Sequence, residues 1–137
     1  MKKLLLLFFL TFSAALVFAQ DIPEKANTIV VTFADSSNLQ EKISKVFTEK
    51  DYKVKTTSKT AKKILTGPKT LKGDTRVALT AEIKGAEIYL TGSIVVAAQS
   101  GMKVEYKGKK GTPIMNAWEE MDKVAKALGG KVTYEVK

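Results

Sequence analysis

The chain has 137 residues, 23 basic and 14 acidic side chains for a net charge of +9, and neither cysteine nor histidine. This composition excludes disulfides and thiolate chemistry, and it removes the commonest general base and the commonest metal ligand. Hydrolase and metalloenzyme readings weaken together, and stability must come from packing.

The N-terminus reads Met1-Lys2-Lys3, then an apolar run through Phe18, with Val17 and Ala19 before Gln20. A short basic region, an apolar core and small residues at the junction predict a secretory signal peptide, residues 1–19, cleaved after Ala19. A retained anchor is the alternative, but about 16 apolar residues are short for a span. No cysteine stands at the junction, so the N-terminus is not lipidated. The expected mature chain, residues 20–137, is one domain with 21 basic against 14 acidic residues, net +7, and no transmembrane segment. Its expected location is periplasmic or secreted.

In chain order, Ile29, Val31 and Phe33 share one face of a strand over 27–33. Ser37, with Gln40 three residues on, has capping-box spacing. Leu39, Ile43, Val46 and Phe47 then form an apolar helical stripe, leaving Lys42, Lys45, Glu49 and Lys50 to solvent. Tyr52, Val54 and Thr56 alternate with Lys53 and Lys55 as a second strand, and 58–62 is a polar turn. A third strand over 64–71 contains Pro68, which cannot donate to a ladder; it is expected at the sheet edge or bulged at Gly67-Pro68. Gly73-Asp74 turns into a long hairpin over 75–98, the centre of the chain. With Lys84 and Gly85 as turn residues, Ile83 faces Ala86, Ala81 faces Ile88 and Leu79 faces Leu90, so the apolar faces coincide. The same register sets Glu82 opposite Glu87, a mildly unfavourable pair, and Gly92 opposite Val77 as a bulge or bend.

Residues 99–112, rich in glycine and lysine, are expected to form a loop. A second helix starts near Pro113, capped by Thr112 or Asn116, with Glu119, Glu120 and Asp122 placed early where the helix dipole favours acids. Its stripe is Ile114, Ala117, Trp118, Met121, Val124, Ala125 and Leu128, which makes Trp118 a core residue, and Gly129-Gly130 ends it. Val132, Tyr134 and Val136 alternate in a last strand.

The order β-α-β-β-β-β-α-β predicts an α+β two-layer sandwich, an antiparallel sheet with two helices on one face. This arrangement resembles the TATA-binding-protein-like and helix-grip folds. Asp51-Tyr52-Lys53-Val54 after the first helix, and Lys63-Ile64-Leu65-Thr66-Gly67-Pro68-Lys69-Thr70-Leu71, resemble small exported bacterial proteins of that fold. More faintly they are similar to domains of the BamC-like outer-membrane assembly lipoprotein. Such families often carry Gly before the Tyr and an acid near the end of the second strand, where this chain has Asp51 and Pro68, and the lipobox cysteine is absent. The resemblance spans roughly residues 27–128 and implies a fold and an envelope setting, with no catalytic residues to carry over.

Function is therefore expected to be non-enzymatic. Nucleophile elbow, phosphate loop and metal-ligand cluster are all missing from the sequence, and no cofactor, catalytic or metal residue is assigned. The sheet face opposite the helices is expected to present Lys53, Lys55, Arg76, Thr80, Tyr89 and Thr91. That face would meet an envelope protein or an anionic lipid, lipopolysaccharide or acidic glycan. Nucleic acid ranks below these, because every basic residue but Arg76 is a lysine, a solvated point charge without the bidentate fork. The plain alternative is that the lysines only decorate exposed strands. A second function class is a carrier with an apolar helix-to-sheet pocket lined by Phe47, Leu79, Leu90, Trp118 and Met121.

Overall fold

The computed structural model describes residues 21–55, 62–73, 75–96 and 99–137. The expected signal peptide and the turn at 58–61 lie outside the described residues, as does Thr56. In chain order the elements are β1 (Thr28–Thr32), α1 (Leu39–Glu49), β2 (Lys63–Leu65), β3 (Lys69–Thr70), β4 (Thr75–Lys84), β5 (Glu87–Val96), β6 (Gln99–Lys103), α2 (Pro113–Ala127) and β7 (Lys131–Glu135). Among the described residues the strands form one seven-stranded antiparallel sheet, ordered β2-β4-β5-β1-β7, with β3 on β4 and β6 on β5. The helices cover one face, giving the α+β two-layer sandwich that the periodicities predict. No helix among the described residues is long and apolar enough to cross a membrane.

The central hairpin forms, but two residues out of the expected register. Lys84 pairs with Glu87, Glu82 with Tyr89, Ile83 with Ile88 and Leu79 with Gly92. The turn residues are Gly85 and Ala86, with Gly85 at φ 60, the positive-φ first position of a II′ turn. Because side chains alternate with period two, a slip of two keeps every residue on its expected face. It also replaces the Glu82–Glu87 juxtaposition with a Lys84–Glu87 one.

Gly92 is no bend; it is a packing position. A Cβ there would lie 3.1 Å from Val104 Cγ2, 3.2 Å from Leu79 Cδ2 and 3.3 Å from Met121 Sδ. Gly92→Ala is expected to cost about 1–3 kcal/mol by overpacking, read from denaturant midpoints; an unchanged midpoint would show that the layer gives way freely.

Residues 99–103 form strand β6, correcting the expectation of a loop. Ile94 pairs with Met102 but Val95 with Ser100, so Gly101, at φ 96, is the extra residue of a bulge. A glycine that reads as a breaker here continues the sheet. Val104 then donates to the Gly92 carbonyl, and Tyr106 accepts from Lys25 N–H and donates to the Ala26 carbonyl. Among the described residues the second expected strand is represented by one bridge, Val54 to Thr66, flanked by Lys55 N–H to Leu65 O and Gly67 N–H to Lys53 O.

Pro68 acts as expected. Leu65 pairs with Thr80 but Lys69 with Val77, a one-residue shift across Gly67-Pro68. At the break the Thr66 hydroxyl accepts from Leu79 N–H at 2.9 Å, so the ladder loses no partner there.

The helical stripes are buried as the periodicity requires: Leu39, Ile43, Val46 and Phe47 on α1, and Ala117, Trp118, Met121, Val124 and Ala125 on α2, joined by Met115. Trp118 sits between Tyr106 and Tyr134, ring centroids 5.8 and 5.9 Å away. The α1 cap differs from expectation. Asp35 accepts from Ser37 N–H at 2.8 Å, which takes Ser37 into a turn, and Asn38 at φ 58 precedes the helix without a side-chain cap bond. Thr112 does cap α2, accepting from Met115 N–H. Phe47, Leu79, Leu90, Trp118 and Met121 are each at most 2 % exposed and belong to one packed core.

Candidate functional site

The pleat turns alternate residues of each strand outward, away from the helices. On β4 these are Arg76, Ala78, Thr80 and Glu82; on β5, Glu87, Tyr89, Thr91, Ser93 and Val95. Leu65 and Lys63 of β2 join them beside Thr80 and Glu82. Lys53 and Lys55 complete the edge: a Cβ added at Gly67 would lie 3.8 Å from Lys53 Cβ and 3.5 Å from Lys55 Cε, so both stems lie over the bare Gly67 backbone. All six residues expected from the alternation, Lys53, Lys55, Arg76, Thr80, Tyr89 and Thr91, therefore share this outer face. Thr80 and Thr91 are direct cross-strand partners.

Charge is not spread evenly over it. At the end near the hairpin turn, Tyr89 lies beneath two ammonium groups, Lys137 Nζ 4.1 Å and Lys84 Nζ 4.7 Å from the ring centroid. Its hydroxyl donates to Glu87 at 2.9 Å, which lifts the phenol above its ordinary value. Lys137 also meets Glu135 at 3.3 Å, and Lys84 approaches Glu82 at 4.0 Å. Acids and bases cancel in this half. Asn27 holds the Lys137 backbone in place, donating to its carbonyl at 2.8 Å and accepting from its N–H at 3.1 Å. In the other half Lys53, Lys55 and Arg76 are exposed and make no ion pair with any described residue.

On the helix side lies a polar cluster that the alternation did not reveal. The one-residue shift at Pro68 turns Lys69 inward, where its ammonium donates to Glu120 at 2.6 Å and to the Lys50 carbonyl at 2.9 Å and rests 5.1 Å from the Tyr52 ring centroid. The signal was Pro68 itself, had its bulge been carried through to the facing of the next residue. Glu120 is thus an ion-pair partner, and Asp122 accepts from the Tyr134 hydroxyl at 2.8 Å and pairs with Lys126 at 2.8 Å. Both correct the view that the α2 acids serve only the dipole and solvent. Tyr52 is buried and its hydroxyl has no partner among the described residues.

Burial, then the nearby Glu120, pushes the Tyr52 phenol well above its ordinary 10.0; burial, then the bond to Asp122, does the same for Tyr134. Because the folded values are raised, their contribution to stability is intact below pH about 10 and falls away as pH climbs toward the folded values. An ultraviolet titration should therefore show these two phenols ionising only with loss of the fold. Full reversible ionisation of all four tyrosines near pH 10 in the folded protein would contradict this burial.

The fold and this face define the class: a two-layer α+β domain with a cation-edged sheet surface and, among the described residues, a packed core. No protein-family model matches the chain, and no curated protein matches it in sequence.

Proposed function

We propose that this is a non-enzymatic exported protein of the cell envelope that binds an anionic surface through the outer face of its sheet. The observation that supports it is the segregation of charge: Lys53, Lys55 and Arg76 stand exposed with no ion pair to any described residue, while Glu82 and Glu135 meet Lys84 and Lys137, and Glu87 holds the Tyr89 hydroxyl, at the other end. Fixed carboxylates would repel an anionic ligand, so the edge of Lys53, Lys55 and Arg76, where no described carboxylate pairs with a cation, is the part that attracts. The cations are mostly lysines, which suit a diffuse array of charges better than one oriented phosphate.

Exposed charges interact over a Debye length of about 8 Å at physiological ionic strength, so binding should weaken steeply with added salt. The test is co-sedimentation of residues 20–137 with vesicles containing phosphatidylglycerol and with an immobilised acidic polysaccharide over a salt series. Retention lost as salt rises is expected; salt-independent retention would overturn the electrostatic account.

A further inference from the structure

The part of the outer face flanked by Lys53, Lys55 and Arg76 holds more than charge. Ala78 pairs with Ser93, and Ser93 with Lys103. One register step away, Leu65, Thr80 and Thr91 align across three strands. Side chains here are short, and three carry hydroxyls: Thr80, Thr91 and Ser93, all partly exposed. None of the three hydroxyls donates to or accepts from a described group. Lys53 and Lys55 close one end of this track and Arg76 stands along its side. Lys103 stands at the far end, with a long 3.3 Å contact to the Lys137 carbonyl, and Glu105, next but one along the chain, is the acid at that end.

We propose that the anionic ligand is an acidic polysaccharide that lies across the strands on this track. The inference rests on the function proposed above and names its ligand class. A glycan of this kind needs cations at intervals for its carboxylates and neutral hydrogen-bonding groups between them for its hydroxyls, and the track supplies both. A bilayer surface would use the lysines but leave the threonine and serine hydroxyls without a role, and the one large apolar side chain among these residues is Leu65. From the 53–55 segment to β6 the track crosses four strand spacings, about 19 Å, so an elongated ligand can reach cations at both ends.

The probe is a length series of polygalacturonate oligomers, measured by calorimetry against neutral dextran and phosphatidylglycerol vesicles. Affinity is expected to climb with oligomer length until the chain spans about 19 Å and then level off, with dextran not bound. The variant T80V/T91V/S93A keeps every charge and β-branching at the two threonines; circular dichroism checks its fold. It should lose about tenfold or more in oligomer affinity, from lost hydrogen bonds, with vesicle binding unchanged. Oligomer affinity that ignores the hydroxyls, or vesicles bound in preference to oligomers, would overturn the glycan assignment while leaving the anionic-face reading intact. Binding to neither probe would overturn both.

Discussion

Trp118→Ala is expected to lower the free energy of unfolding by about 3–5 kcal/mol, the largest single loss in the molecule. The ring is 2 % exposed, lies on the α2 stripe, and packs against Tyr106 and Tyr134 from two sides. Its removal leaves a cavity between layers that cannot close, because Tyr134 is tied to Asp122 and Tyr106 to Ala26 and Lys25. For a domain of this size the loss corresponds to a fall in Tm of more than about 10 °C. Trp118→Phe should recover much of it. A loss below about 1 kcal/mol for the alanine variant would show that the ring does not join the layers.

The second large effect is expected at Glu120. Glu120→Ala leaves the Lys69 ammonium, 23 % exposed, with one carbonyl in place of a carboxylate, and should cost about 2–4 kcal/mol. The charge would be stranded beside the Tyr52 ring, on a β3 strand of only two residues. The double variant Lys69→Met with Glu120→Leu removes both charges and should be close to wild type, since replacing a buried pair with apolar groups is often neutral. Chemical denaturation of the four proteins in the cycle gives the coupling. Additive losses would mean that the two side chains act independently and that the pair does not hold the bulged edge.

Most of the fold was legible because period-two and helical patterns fix the facing of residues without fixing their partners. The hairpin shows the limit. Its faces were right and its register was two residues out, since alternation cannot distinguish slips of two; only the turn geometry at Gly85 does so. Gly101 misled for a related reason, because a bulge glycine and a loop glycine look alike until the partner strand is known. Ser37 had the composition of a cap, but Asp35 recruited it first. The outer face was legible for the same reason as the fold: all six expected residues alternate outward. The division of charge on that face was not legible, because it depends on Lys137, paired with Glu135, reaching the Tyr89 ring across β1. The Lys69–Glu120 pair required knowing that one residue is extra at Pro68.

On the proposed function, the location of the cations and not overall basicity governs binding to an anionic surface. The most direct test compares two triple variants of residues 20–137 with equal net charge. One is K53Q/K55Q/R76Q on the outer face; the other is K45Q/K110Q/K123Q, at exposed positions on α1, the 107–112 loop and α2. Both are titrated at one low salt concentration against phosphatidylglycerol vesicles and an acidic polysaccharide. Three exposed cations, each contributing on the order of 1 kcal/mol near an anionic surface, predict at least a tenfold loss for the outer-face variant, with the control close to wild type. Equal losses in the two variants would contradict the account and reduce the lysines to solvated decoration of a closed fold.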